Sequence, residues 1–577
     1  MMRCMARLTR LQVTNYRSIG VGTEVIFRPN IPVVLIGENN AGKSNLVRAL
    51  NLILGARWPG NLEPDDNEFH GRERDKAIEI VVDFDEHDPL GGRFTQLTWR
   101  YDPRSEAKPV SFNGQELNGR PDAWPRQEER DTCTCVVLEA DRNLSYHLGY
   151  SSKWTMLSRL MHRFHRALTR DAKTRGELEG LFGQVKTAFG HVPEFAEFTG
   201  TLKGQLEGML SSMTHRLEVD FEAYNPSNFF HALRLQAAEG ATPRAFEEMG
   251  TGEQQVLAMA FAYAYAHAFH GGILLAIEEP EAHLHPLAQT WLARRLHDMA
   301  GGGLQVLLST HSPAFVNLLD LEGLALVRKP RAGSEVVQRT RFELVTHCEA
   351  MGAKQASVGN ILPFYAAHAT RDILEGFFAK EVVLVEGPTE AFALPVYLEK
   401  VGLSCAKEGI AIIPVGGKGQ LGKWYRLFTD FEVPTYVIFD NDPKHDGKTA
   451  KREDVLTALG VERGRWPALL AADQFEITES LAVFGKDFEV TMRALFPAYV
   501  GLEECARAQG LDPESKPLLA RWVAEHMEHD PMASGWMKMD EIARQLRQLV
   551  EIASGEAPMP EVEEAPPVED PDDDIPF

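Results

Sequence analysis

The stretch Val33-Val34-Leu35-Ile36-Gly37-Glu38-Asn39-Asn40-Ala41-Gly42-Lys43-Ser44 constrains this chain more than any other. A β-branched run enters a turn of the form G-x-x-x-x-G-K-S. An amphipathic segment at 45–54 follows, with Leu46, Val47, Leu50 and Ile53 on one side. Strand, loop and helix in that order is the setting of a phosphate-binding loop. Gly37 and Gly42 let backbone N–H groups turn inward around a β-phosphate, with Asn39 and Asn40 between them. The helix N-terminus adds its positive end, Lys43 reaches the β and γ oxygens, and Ser44 ligates Mg²⁺. ATP is the expected ligand.

A chain of 577 residues has room for three or four domain-sized units, and an apolar content of 44% suffices for several cores. No window approaches a membrane span, and residues 1–10 hold no apolar run of signal-peptide length, so a cytoplasmic protein without a membrane partner is expected. The six cysteines (Cys4, Cys133, Cys135, Cys348, Cys405 and Cys505) are scattered; only Cys133 and Cys135 lie close, and they read as strand residues. The net charge of −23 argues against nonspecific nucleic-acid binding. Nine of the acids lie at 556–577, where no base occurs, so contact with DNA must come from local basic patches.

Residues 8–18, 24–27, 77–84, 96–101 and 133–138 read as strands, and the polar, Pro- and Gly-containing span 103–130 as loop. From 151 to about 215 the period becomes helical. Within that span Arg159, Arg163, Arg166 and Arg170 share one helix face, either a solvated face or a phosphate-contacting stripe. A glycine turn, Gly250-Thr251-Gly252-Glu253, then opens an apolar helix and makes a second anion-binding N-terminus. The strand 273–277 delivers Glu278 and Glu279 at its tip. The first can hold Mg²⁺ through water, and the second can polarise the water that attacks a γ-phosphate. A third strand, 304–308, ends in Ser309-Thr310-His311, which places His311 to sense that phosphate.

The order of these pieces resembles the ATPase heads of the ABC/SMC/RecF group over residues 1–330. In that group the signature of one subunit caps ATP bound to the other, so the resemblance implies a nucleotide-linked homodimer or higher homo-oligomer. Gly250 stands where the group carries a serine, with the Thr251 hydroxyl beside it.

A second unit begins near 379. The strand Glu381-Val382-Val383-Leu384-Val385 ends in Glu386-Gly387-Pro388-Thr389-Glu390, which puts Glu386 and Glu390 one helical turn apart. The strand 411–415 leads to Gly416-Gly417-Lys418-Gly419, and the strand 436–439 to Asp440-Asn441-Asp442. Carboxylates at neighbouring strand ends suit hard cations such as Mg²⁺ or Mn²⁺, and two such ions can clamp a phosphodiester. The E-G-x-x-E, G-G-K-G, D-x-D series resembles the Toprim domain. An ABC-type head followed by Toprim is similar to the OLD (overcoming lysogenization defect) family of ATP-dependent nucleases. That resemblance implies Glu386, Glu390, Asp440 and Asp442 as metal ligands, joined by Glu479, with Glu476 competing for its place. It implies Lys516 as the lysine that offsets charge on the reacting phosphate, and a helical insert that serves dimerisation. Basic residues near the metals, among them Lys418, Lys423 and Arg426, offer a DNA surface.

The expected fold class is α/β: an ABC-type ATPase head with a helical insert, a Toprim α/β domain and a disordered acidic tail. The head comprises 1–150 and 231–370, the insert 151–230, the Toprim domain 379–552 and the tail 553–577. The expected activity is ATP hydrolysis coupled to metal-dependent DNA endonuclease cleavage, in bacterial or phage defence, exclusion or repair. The alternative is a RecF/SMC-like ATP-gated DNA clamp without nuclease activity. The tip Asp572-Asp573-Asp574-Ile575-Pro576-Phe577 resembles the terminal peptide of bacterial single-stranded DNA-binding proteins, which implies docking to host proteins that bind such tips. An aromatic ring beside a free carboxylate suits an apolar pocket rimmed by arginine.

Overall fold

The computed structural model describes residues 6–105, 108–139, 272–442, 449–471, 475–512 and 514–554, with a hairpin at 236–239 and 242–245 and scattered positions between 173 and 264. Two compact units are formed, one from Met1–Val137 with Gly271–Phe577 and the other from Leu138–His270. The second unit contributes the hairpin β8 (Gln236–Glu239) and β9 (Thr242–Ala245). The arginine stripe, Gly250, Thr251, Glu253 and the tail beyond Ser554 lie outside the described residues, and Gly252 is described as a half-buried helical position.

In the first unit, β1 (Leu8–Thr14), β2 (Thr23–Ile26), β4 (Ile78–Phe84), β5 (Phe94–Tyr101) and β6 (Val110–Glu116) form an antiparallel sheet in the order β2-β1-β4-β5-β6. Alternation drives it. Ile78, Ile80, Val82 and Phe84 point inward from β4, and Leu97 and Trp99 from β5. The span 103–130, expected as loop, contains β6 and the short helix Gln127–Arg130. Its buried Val110 and Phe112 alternate with polar Ser111 and Asn113, a period-two signal masked by the surrounding Pro and Gly.

The second sheet runs β13-β12-β3-β11-β10-β7, built from β3 (Val33–Ile36), β7 (Cys133–Leu138), β10 (Gly272–Glu278), β11 (Gln305–Ser309), β12 (Leu324–Arg328) and β13 (Glu335–Gln338). Strands β10, β11, β3 and β12 are mutually parallel, and each is close to continuously apolar, as strands covered on both faces must be. The helix Lys43–Leu54 buries Leu46, Val47, Leu50 and Ile53 in one core with Val33 and Leu35 of this sheet and Ile80 and Trp99 of the first. That packing holds the phosphate-loop helix between two sheets. Cys133 and Cys135 are buried strand residues of β7.

The third sheet, β15-β14-β16-β18-β17, comprises β14 (Glu381–Val385), β15 (Ile410–Pro414), β16 (Thr435–Asp440), β17 (Glu476–Ile477) and β18 (Leu481–Phe484). Its four longer strands are parallel, and β17 is an antiparallel edge. One face packs Val383, Tyr436, Ile438 and Phe484 against the helices Pro388–Lys400 and Ser534–Ser554, where the Tyr397, Phe496 and Trp536 rings meet at centroid distances of 5.2–5.7 Å. Among the described residues, no helix is long and apolar enough to cross a membrane.

Glu381, at the start of β14, is 0% exposed, and among the described residues neither carboxylate oxygen has a hydrogen-bond partner. Burial pushes its acid up to about 9 from 4.5. Below about 4.5 both folded and unfolded chains hold the proton; from there to about 9 only the unfolded chain ionises, so stability falls as pH rises across that window. Glu381→Gln removes this loss. Its melting temperature is expected to exceed the parent's by a margin that widens from about pH 5 to about pH 8. Thermal denaturation across pH checks this; a margin independent of pH would contradict it.

Candidate active sites

The phosphate loop is set by strand ends. Gly37 (φ 125°) and Gly42 (φ 112°) both adopt left-handed backbone that favours glycine. A side chain at Gly37 would strike the Val327 carbonyl of β12, and one at Gly42 the Ser18 and Ser334 hydroxyls. Lys43 begins the helix and is buried; its Nζ donates to the Gly37 and Glu38 carbonyls at 2.8 and 2.7 Å. Burial pushes the ammonium down to about 8, against the opposing pull of Glu279, Glu281 and Glu38. A cation desolvated this way and held by neutral carbonyls, at a helix N-terminus, fits a phosphate. Asn39, Asn40 and Ser44 are exposed along the loop and the first helical turn.

The other expected residues of the head arrive on the neighbouring parallel strands. In register, Glu278 lies opposite Ser309, so both sit at the end of the sheet where the loop lies. Glu278 is buried; Glu279 follows with left-handed φ of 47° and donates its N–H to the Ser309 carbonyl at 2.7 Å. Thr310 N–H bonds the Leu35 carbonyl of β3 at 3.1 Å, which ties the His311 turn to the phosphate-loop strand. Burial and the Lys43 charge lower the His311 imidazole below its ordinary value, with Glu279 and Glu281 opposing. Lys43, Glu279 and His311 therefore share one electrostatic neighbourhood.

Sequence reading missed two features here. Glu281 clasps the histidine turn: its Oε2 accepts from the Thr310 hydroxyl at 2.8 Å and its Oε1 from His311 N–H at 2.6 Å. The signal was a third acid in Glu278-Glu279-Pro280-Glu281. The turn Asn15-Tyr16-Arg17-Ser18, read as a strand end, is the second. Ser18 Oγ accepts from Asn45 Nδ2 of the phosphate-loop helix and lies 2.7 Å from Ser334 Oγ, and Asn15 and Arg17 have positive φ.

In the Toprim sheet, Glu386 follows β14, and its Oε1 accepts Asp440 N–H at 2.8 Å from the end of β16. Lys418, buried at the start of the helix Lys418–Asp430, lies 3.4 Å from the same oxygen and donates to the Asp442 carbonyl at 3.3 Å. Glu390 Oε2 accepts Gly387 N–H at 3.2 Å. Burial first, then neighbouring carboxylates, pushes Asp440 up to about 9 and Glu390 up to about 7; Glu386 is raised mainly by burial, with Lys418 opposing. Among the described residues, none partners the buried Asp440 Oδ1. Crowded carboxylates with an orphan oxygen are a donor set that fits a hard divalent cation. Among the described residues no three such groups converge at ligating distance, and Lys418 is the cation beside Glu386.

Glu479, expected as the later ligand, is instead exposed in the turn leading into β18. Because β18 is parallel to β16, with Asp440 opposite Phe484, the start of β18 lies at the far end of the sheet from Asp440. Glu476, beside Val483 on the edge strand, is nearer that end but exposed. The acids after β18 are the ones whose charge reaches the set: Asp487 raises Asp440, and Glu489 raises Glu390. Lys516 Nζ pairs with Glu489 at 3.2 Å, and Asp487 and Asp440 also raise it. The sequence feature is Asp487-Phe488-Glu489, set off from the apolar strand β18 by Gly485 and Lys486.

Two sites at the carboxyl ends of two parallel sheets, one shaped for a nucleotide and one for metal, define an ATPase joined to a Toprim domain. Comparisons with known proteins agree. Residues 377–442 match the Toprim domain of overcoming lysogenization defect-like proteins. Residues 7–144 match an AAA ATPase domain, and 142–317 an AAA domain described for the AbiEii toxin of type IV toxin–antitoxin systems. The OLD nuclease of Thermus scotoductus is 28% identical over 452 residues, 75% of this chain and 82% of that protein. Endonuclease GajA of Bacillus cereus is 21% identical over 74% of each chain. The Old nuclease of Escherichia phage P2 is 26% identical over 37% of each. The chain thus joins ATPase-type and OLD-like Toprim domains and is similar over three quarters of its length to an OLD nuclease; such domains imply use of a nucleotide and a divalent metal.

Glu281→Gln keeps the shape of the clasp but removes its charge. Turnover of ATP is expected to fall about tenfold, the loss of one charge-assisted hydrogen bond, with nucleotide affinity within about threefold. Steady-state hydrolysis beside equilibrium nucleotide binding checks this; unchanged turnover would contradict it.

Proposed function

We propose that this protein is an ATP-hydrolysing, divalent-metal-dependent DNA endonuclease that nicks or cleaves DNA in bacterial or phage defence, exclusion or repair. The carboxylate set around Asp440 supports this most, because a divalent cation would satisfy its orphan oxygen and relieve its crowding. Bound Mg²⁺ or Mn²⁺ supplies activation of water and neutralisation of phosphate charge. Glu386, Glu390, Asp440 and Asp442 are the proposed ligands, with Asp487 and Glu489 in place of Glu479. The Asp440 N–H orients the Glu386 carboxylate, and Lys418 and Lys516 offset charge on the DNA phosphate.

In the head, Lys43 and the helix N-terminus hold the triphosphate, and Ser44 and Glu278 hold the accompanying ion. Glu279 orients the attacking water, and His311, positioned by Glu281, stands at the γ-phosphate. Residues 250–253 cap the nucleotide of a second copy, so the working state is a homodimer or higher homo-oligomer. Proteins that recognise acidic, phenylalanine-bearing tips are proposed partners of residues 572–577.

Supercoiled plasmid incubated with Mg²⁺ or Mn²⁺, with and without ATP, tests the activity. The parent is expected to nick or linearise it. Asp440→Ala is expected to lower cleavage about 100-fold or more, the loss of a metal-coordinating group, while ATP hydrolysis stays within about twofold. ATP-dependent retention of intact plasmid by the parent would replace the nuclease with a DNA clamp. For the tip, removal of Phe577 is expected to abolish capture of tip-binding repair proteins and leave DNA affinity within about twofold. Unchanged capture would sink the docking role.

A further inference from the structure

The two sites are joined by backbone. Strand β12 lies beside β3 in parallel register, with Leu324, Ala325 and Leu326 opposite Val34, Leu35 and Ile36. Just past this register lies Gly37, whose missing side chain admits the Val327 carbonyl, and the Glu38 carboxylate of the same loop acts on Arg328. Arg328 leaves the head from there. Its guanidinium donates to the carbonyl of Glu432 and, at 3.4 Å, to that of Lys380. These carbonyls stand just ahead of two nuclease strands: Lys380 immediately precedes β14, and Glu432 lies three residues before β16. The two strands are hydrogen-bonded neighbours, and Val382 N–H bonds the Pro434 carbonyl where both begin. Five or six residues on, they end at Glu386 and Asp440, which are themselves bonded.

The charges around this residue match such a role. Arg328 is half-buried, and Glu38, Glu432 and Glu335 are the carboxylates acting on it, one from the phosphate loop and one from the nuclease side. A second strap, Arg339, grips the same nuclease turn through the Asp430 carbonyl at 2.6 Å and Glu432 at 2.7 Å, but does so from beyond β13, away from the phosphate loop. Lys43 supplies the variable part. It holds the Gly37 and Glu38 carbonyls, and a charged phosphate oxygen is a stronger acceptor than either. Drawing the ammonium away frees the Glu38 segment, whose carboxylate acts on Arg328.

We propose that Arg328 is a positioning residue that ties the phosphate loop to the starts of β14 and β16, so that the Glu386–Asp440 pair registers whether the nucleotide site is filled. This rests on the ATPase–nuclease reading above. It adds to that reading the residue through which one site acts on the other. Spatial continuity supplies the path, and a measured coupling is its test.

The test uses the full chain, with hydrogen–deuterium exchange followed in residues 380–386 and 429–440 with and without ATP. The parent is expected to change its exchange there on binding ATP. In Arg328→Gln that change should shrink at least about fivefold, the lower end of typical site-to-site coupling, with ATP affinity within about twofold. Arg328→Lys keeps the charge but not the fork and should retain an intermediate response; it also serves if the glutamine variant melts below assay temperature. Arg339→Gln should keep most of the response. A parent indifferent to bound ATP in these segments, or a full response in Arg328→Gln, would overturn the proposal. Plasmid cleavage is run beside it. A parent that fails to cut DNA but shows the exchange response, lost in Arg328→Gln, would remove the nuclease reading and leave the coupling intact.

Discussion

Like charges gathered at the carboxyl ends of parallel strands are the constraint on which the chemistry of this molecule depends. Parallel strands buried on both faces are almost wholly apolar, so their polar residues are displaced to the tips, where neighbouring strands bring them together. At the Toprim sheet this leaves Glu386, Glu390 and Asp440 within reach of one another's charge and largely out of water. Carboxylates in that state either keep protons or find a cation. Lys418 and the Asp440 N–H partly compensate, and the orphan Asp440 oxygen marks what they leave undone.

The head solves a mirror problem with the opposite charge. Lys43 is a desolvated cation at the tip of β3, and the acids that balance it come from the β10 tip on the same sheet. Glu281 converts part of that acidity into geometry by clasping Thr310 and His311. Both sites lie within the first compact unit, and β12, which borders the phosphate loop, carries at its end the arginine that meets the Toprim backbone.

Much of this was legible in the sequence because chemistry sits directly after apolar runs. Strands β3, β10, β11, β14, β15 and β16 each announce themselves by a hydrophobic stretch and the glycine, acid or histidine that follows. What was not legible has physical reasons. Strand β12 is as apolar as its neighbours, but Arg328 at its end and Lys329 after it belong to no phosphate or metal pattern, so the joint between the two sites stayed hidden. Strand β6 was obscured by flanking Pro and Gly. The direction of β18 is a further reason. Spacing along a chain brings Glu479 close to β18, but only the direction of that strand decides which end faces Asp440, and it is the end leading to Asp487.

The central claim is that the Asp440 neighbourhood is a divalent-metal centre. Anomalous diffraction from crystals grown with Mn²⁺ tests it most directly. The account predicts a peak bound by Glu386 and Asp440, with one or more of Glu390, Asp442, Asp487 and Glu489 completing the set and the Lys418 ammonium moved off Glu386. Density in which Lys418 still pairs with Glu386 and no manganese lies among these acids would contradict it.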